Sequence, residues 1–236
     1  APGDYRGTLT VSAANAPAAK LDLRVRVYDF TLPDLSPLPL AITFSPGDRP
    51  IPETQAEQAV WRKEPDYPAK AWKRHTAAWA DFLADYYITY DSLYHRGMPD
   101  FEILKRLKSQ GRLGQFNLGY WGYFEDTPAS RTDWQSKTLD RLRAAYDQAK
   151  SHGLIEHAYI YGCDEVATNY FARVEEAAAL IRKACPGVPI MTTTYDHSFG
   201  LASGIRSVDA FCPLTPKYDA EQAARARADG RQVWWY

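Results

Sequence analysis

The stretch 159–166, YIYGCDEV, closes an apolar run with two adjacent acids, Asp164 and Glu165. Neighbouring carboxylates repel each other, so such a pair is either loose in solvent or in use. Paired carboxylates hydrolyse glycosides by flanking the scissile bond, about 5 Å apart in retaining enzymes and further apart in inverting ones. Those partners usually come from different strands. Neighbours on a regular strand point to opposite faces, but at a strand end the backbone turns and both can reach one pocket from the same side. From there one carboxylate can protonate a leaving oxygen, while the other is badly placed to attack from behind. It could instead hold and polarise a nucleophile that belongs to the substrate. The carbonyl oxygen of a 2-acetamido sugar is such a nucleophile, closing to an oxazoline-type intermediate. Adjacent Asp and Glu therefore hint at substrate-assisted hydrolysis.

Other chemistries find less support. The cysteines are Cys163, Cys185 and Cys212, an odd and sparse set that makes no disulfide framework. There is no CxxC, and His75, His95, His152, His157 and His197 lack metal-ligand spacing, so neither metal nor cofactor is expected. A reactive Cys163 thiol is disfavoured because a thiolate would sit beside two carboxylates. The 236 residues carry a net charge of −1, with no basic run and no aromatic–basic interleaving, which gives no reason to expect a nucleic-acid partner. No apolar stretch reaches the roughly 18 residues of a membrane span. Aromatic residues make up 14%, including seven Trp and sixteen Tyr, enough to pack a core or to stack against sugar faces. The opening APGDYRGTLTV reads as mid-protein, so the lack of a visible signal peptide carries little weight.

Several elements must position the acid pair. Residues 5–11 and 21–28 alternate with strand period, with Leu21, Leu23, Val25 and Val27 on one face. They read as a hairpin, and since two strands do not stand alone, as the last strands of a β-sandwich over 1–32. Prolines 33, 37 and 39 mark a linker over 33–39. From 40 to 236 strand and helix alternate. Strands are expected at 40–44, 88–94, 114–122, 156–165, 189–196, 208–216 and from 231 on. Helices are expected at 66–86, 99–111, 132–150, from Phe171 past Ile181, and over the DAEQAARARADG run. This alternation predicts an α/β fold with a parallel sheet. The natural form is a (β/α)8 TIM-type barrel broken off inside its seventh strand. A doubly wound open sheet competes, but FSPGDRPIPE after the first strand lacks a phosphate-binding glycine pattern.

Barrel chemistry gathers at the C-terminal ends of the strands. Here those ends read YDSLYH, NLGYWGYFED, YGCDE, TTTYD, CPLTPKYD and WWY, a rim of rings around carboxylates. Such a rim suits a carbohydrate, whose C–H faces stack on rings and whose hydroxyls bind acids.

The sequence resembles glycoside hydrolase family 123, a family of bacterial proteins. The resemblance rests on GDYRGTLTV, LRVRVYDFTLP, AYIYGCDE, IMTTTYDHSFG, VDAFCPLTPKYD and GRQVWWY, spread over most of the chain. It implies a β-sandwich followed by a (β/α) barrel. It further implies exo-acting β-N-acetylgalactosaminidase activity, with retention through substrate assistance, and an exported protein acting on a glycan. Carried over, Asp164 orients and charge-stabilises the acetamido group and Glu165 is the general acid/base. The roles require Asp164 to stay ionised and Glu165 to carry a proton at rest, which the Asp164 charge beside it and a ring-lined pocket would both favour. Around them Tyr161, Tyr195, Tyr120 and Tyr236 are candidates to bind the substrate, a Tyr hydroxyl reaching the acetamido oxygen. Trp121 or Trp235 is a candidate sugar platform. Asp196 either binds a hydroxyl or caps the next segment. Two other readings stay open: a conventional retaining glycosidase with Asp196 as nucleophile, and a carbohydrate-binding barrel without turnover.

Overall fold

A computed structural model describes residues 1–33, 35–36, 38, 40–44, 55–56, 59, 63 and 66–235, and divides the chain into two compact units, Ala1–Asp34 and Leu35–Tyr236. The first unit is an antiparallel hairpin of β1 (Gly3–Ala13) and β2 (Ala16–Val27). Its register sets Tyr5 opposite Val25 and Leu9 opposite Leu21. The period of two therefore collects Tyr5, Leu9, Val11, Leu21, Leu23, Val25 and Val27 on one face, all of them exposed. The opposite face is charged, with Arg26 donating to Asp4 at 2.7 Å.

The second unit is a layered α/β structure. Helix α1 (Tyr67–Asp85) is followed by α2 (Phe101–Ser109), whose N-cap Asp100 accepts from the amides of Glu102 and Ile103. Gly111, at φ 69°, then turns the chain after α2. Helices α3 (Pro128–Trp134) and α4 (Asp140–Ser151) are joined by one π turn, and α5 (Phe171–Ala184) and α6 (Ala220–Ala228) follow. Asp219 is the N-cap of α6, accepting from the Gln222 amide.

The strands that alternate with the helices form one parallel sheet in the order β3 (Phe116–Asn117), β4 (Ala158–Gly162), β5 (Ile190–Thr192), β6 (Ala210–Phe211) and β7 (Gln232–Val233). The described residues form an open sheet of five strands and no closed barrel. Residues 40–44 and 88–94, expected as strands, continue the same order without a ladder of their own. The Phe44 amide donates to the Asp91 carbonyl at 3.1 Å. The amides of Asn117 and Gly114 then go to the side chains of Asp91 (2.9 Å) and Thr89 (3.0 Å) instead of to backbone carbonyls. Side chains that take the amides of the neighbouring strand leave no repeating backbone pattern to register as a strand.

The period of two gives the sheet two faces. Ala158, Ile160, Ile190 and Phe211 join the large core shared with α2, α4 and α5. Tyr159, Tyr161, Met191 and Ala210 form a second cluster, with Ala41, Leu93, Tyr120 and Trp234 packed against it. This second face carries the polar groups. Asn117 ties it together: its Oδ1 accepts from the amides of Gly119 and Tyr161, both at 3.0 Å, and its Nδ2 donates to the carbonyls of Ser92 and Leu93.

Candidate active site

The acid pair stands where β4 runs out. Cys163 and Glu165, on either side of Asp164, both adopt left-handed backbone, at φ 49° and 51°. Such conformations are unfavourable for residues with a Cβ and persist only when the surroundings hold them. The surroundings are the end of β5. Thr192 Oγ1 donates to the Cys163 carbonyl (3.0 Å), the Glu165 amide donates to Thr193 Oγ1 (3.3 Å), and the Tyr195 amide donates to the Val166 carbonyl (3.0 Å). On the other side the Cys163 amide donates to the Trp121 carbonyl at 2.8 Å. The turn is therefore laced into TTTY residue by residue.

Both carboxylates lean toward that same strand end. Asp164 Oδ1 accepts from Tyr161 OH at 2.7 Å and from Thr193 Oγ1 at 2.6 Å, and its Oδ2 accepts from Tyr94 OH at 3.0 Å. Glu165 Oε2 accepts from Tyr195 OH at 2.9 Å. Three hydroxyls thus occupy three of the roughly four acceptor positions of Asp164, and among the described residues the open one is on Oδ2. Asp164 is half-buried, whereas Glu165 is exposed and so lacks the ring-lined enclosure expected of it.

Rings of Tyr94, Tyr120 and Tyr161 meet beside Asp164, with centroids 5.6 to 6.0 Å apart. Burial raises the phenols of Tyr120 and Tyr161 above their ordinary range, and the Asp164 carboxylate pushes both further up, so both keep their protons. Burial likewise pushes the Cys163 thiol up and keeps it protonated, which removes it as a nucleophile. No cluster of His, Cys, Asp and Glu among the described residues has a metal-binding arrangement.

The structure brings Tyr161, Tyr195 and Tyr120 to the acids and sets other sequence-predicted residues elsewhere. Trp121 is fully buried on the helix side, so it cannot serve as a sugar platform. Alternation decides this: Tyr120 faces the tyrosine cluster and Trp121 faces away from it. The same applies past β7, where Trp234 packs on Tyr159 at 6.1 Å while Trp235 is 83% exposed. Tyr236 lies outside the described residues. Asp196 is buried and committed to its own loop. Its Oδ1 accepts from the amide and hydroxyl of Ser198, and its Oδ2 accepts from the Gly200 amide and the Ser203 hydroxyl. With every acceptor position filled, it is a loop clamp and not a free nucleophile.

Two contacts of the acids, Tyr94 and Thr193, were not singled out from the sequence. Both lie in the strand-end segments YDSLYH and TTTYD, and they belong to the site through their hydroxyls. A separate cavity of about 500 Å³, lined by Phe44, Trp72, Tyr90, Asp91, His95 and Asn117 among others, does not include the acids.

No protein-family model matches the sequence, and no curated protein sequence does. Among solved structures the chain is similar to a family 123 glycoside hydrolase from Clostridium perfringens, described in a study of glycolipid glycan hydrolysis. The TM-score is 0.55 at 13% sequence identity, over 100% of this chain and 50% of that enzyme. At this identity the likeness is one of fold, and this chain spans about half the length of that enzyme.

Proposed function

We propose that the protein is a glycoside hydrolase that releases terminal β-linked 2-acetamido sugars, N-acetylgalactosamine foremost, with retention and substrate assistance. The observation that carries this reading is the common orientation of Asp164 and Glu165 toward the end of β5, with one acceptor position of Asp164 left open. Two acids on one side cannot flank a scissile bond, which argues against a protein nucleophile opposite the acid. The commitment of Asp196 to its loop argues against the best candidate for that role.

In this reading the acetamido N–H donates to Asp164 Oδ2. The acetamido carbonyl oxygen attacks C1 while Glu165 passes its proton to the departing glycosidic oxygen. The bond from C1 to that oxygen breaks and an oxazolinium forms, its positive charge facing Asp164. Glu165, now a carboxylate, takes a proton from water, whose oxygen attacks C1 and reopens the ring with overall retention. General acid catalysis of this kind contributes about 10²–10⁴ in rate. The tyrosines beside Asp164 supply hydroxyls and a ring face for the sugar. The parallel order of the five observed strands agrees with the barrel that the sequence resemblance implies. The bare apolar face of the hairpin supports the reading of β1 and β2 as part of a sandwich.

The test is the anomeric configuration of the first product, read by proton NMR, together with inhibition by the thiazoline analogue of N-acetylgalactosamine. Retention with thiazoline inhibition is expected. Inversion, or retention that the thiazoline does not affect, would refute substrate assistance.

A further inference from the structure

The three consecutive threonines at the end of β5 have different hydrogen-bonding lives. Thr192 Oγ1 donates to the Cys163 carbonyl at 3.0 Å and also accepts from the Thr194 amide. Thr194 Oγ1 is buried with no hydrogen-bond partner among the described residues. Thr193 Oγ1 lies 2.6 Å from Asp164 Oδ1, 3.1 Å from Tyr161 OH and 3.3 Å from the Glu165 amide nitrogen.

A hydroxyl has one proton to give. The Glu165 amide can only donate, so Thr193 Oγ1 accepts there. The Thr193 proton then goes to Asp164 Oδ1, the nearer and charged acceptor. Tyr161 sends its own proton to the same oxygen at 2.7 Å, so the contact between Tyr161 and Thr193 holds no hydrogen. Resting on the functional reading above, we propose that Thr193 is the positioning residue that couples the two carboxylates. One oxygen fixes the side chain of Asp164 and the backbone of Glu165 together. It fills the second lone pair of Oδ1, so that only Oδ2 is open to a substrate N–H. It also receives the amide of a residue whose left-handed backbone needs an outside hold. Without the hydroxyl, Oδ1 loses a donor and the carboxylate can rotate. The Glu165 amide loses its own tie to the end of β5 at the same moment, while those of Cys163 and Val166 stay.

Thr193→Val keeps the shape and removes the hydroxyl, Thr193→Ser keeps the hydroxyl, and Thr194→Val removes a hydroxyl with no partner at the same strand end. On 4-nitrophenyl β-N-acetylgalactosaminide, Thr193→Val is expected to lower kcat about 10- to 100-fold, as for a misplaced catalytic group, with KM within about threefold. Thr193→Ser stays within about threefold of wild type, and Thr194→Val is unchanged. Hydrogen exchange at the Glu165 amide speeds up about fivefold or more in Thr193→Val and not in Thr193→Ser, the effect of losing one hydrogen bond. Wild-type kcat in Thr193→Val, or equal Glu165 exchange in the Val and Ser variants, overturns the coupling. If the wild-type protein cleaves no acetamido sugar, the hydrolase reading falls, and the Glu165 exchange comparison still decides whether Thr193 holds that turn.

Discussion

Replacing Gly162 by alanine probes how β4 delivers the acids. A Cβ at this position would meet the Trp121 carbonyl oxygen at 2.0 Å and two atoms of the Trp121 ring at 2.4 and 2.6 Å. Trp121 is fully buried and bridged to Gly162, so neither partner can step aside cheaply. The two strand ends must part by about 1 Å to reach even the tightest contacts of buried cores. Overpacking of this kind costs about 1–3 kcal/mol. The parting also breaks the 2.8 Å bond from the Cys163 amide to the Trp121 carbonyl. A buried amide left without a partner costs a further 1–3 kcal/mol or so. Against these, alanine stiffens the unfolded chain and returns about 0.4–1 kcal/mol. Together these give a loss of about 1–6 kcal/mol with a midpoint near 3, which is roughly 6–12 °C in Tm for a chain of this size. Asp164 lies two residues on and moves with Cys163, so activity falls more than stability alone explains. Urea unfolding and kcat on a nitrophenyl acetamido sugar, measured on the same preparation well below Tm, check both parts. A loss under about 1 kcal/mol with full activity would mean that Trp121 does not press on Gly162 and the reasoning is wrong.

Burial raises Asp91 from 3.8 to about 6, against the hydrogen bond from Tyr159 at 2.6 Å, the charge of His95 and two backbone amides. The folded protein therefore holds a proton there that the unfolded chain has released. Stability falls as pH rises from about 4 to 6, by up to about 1.4 kcal/mol per pH unit, and levels off above. Urea midpoints across that window should decline in the wild-type protein, and Asp91→Asn should remove the decline; an unchanged slope in the variant would assign it to another group. Asp196→Asn sets an NH2 against donors and should cost about 1–3 kcal/mol while leaving kcat within about tenfold. A loss of several orders of magnitude in a folded Asp196→Asn protein would restore that residue as a nucleophile.

Much of this arrangement is written locally in the chain. Pro99 and Asp100 opening and Gly111 closing α2 are chemical punctuation that depends on few distant contacts. The alternation in AYIYG marks β4 and puts Tyr159 and Tyr161 on one face. The misreadings share a cause, which is that a strand end shows which residues are near a site but not which way each one points. Trp121 belongs to the strand end by position, but period two turns it into the core, and past β7 it is Trp234 that packs on the inner face. Gly162 held the missing signal, because a strand glycine leaves room for a close neighbour, here the Trp121 backbone and indole. The segment 88–94 reads as a strand by composition, but Thr89 and Asp91 spend their side chains on neighbouring amides. Thr193 and Tyr94 escaped notice because rings and carboxylates mark a sugar site by type, while a hydroxyl earns its role only through a long-range contact.

The central claim is that the substrate supplies the nucleophile and that Asp164 and Glu165 serve it from one side. The most direct measurement compares 4-nitrophenyl β-N-acetylgalactosaminide, its gluco isomer and the plain β-galactoside, in the wild-type protein and in Asp164→Asn and Glu165→Gln. The account predicts cleavage of acetamido sugars alone, lost by about 10² or more in each variant. Cleavage of the plain galactoside at a comparable rate would contradict it and move the nucleophile to another residue of the protein.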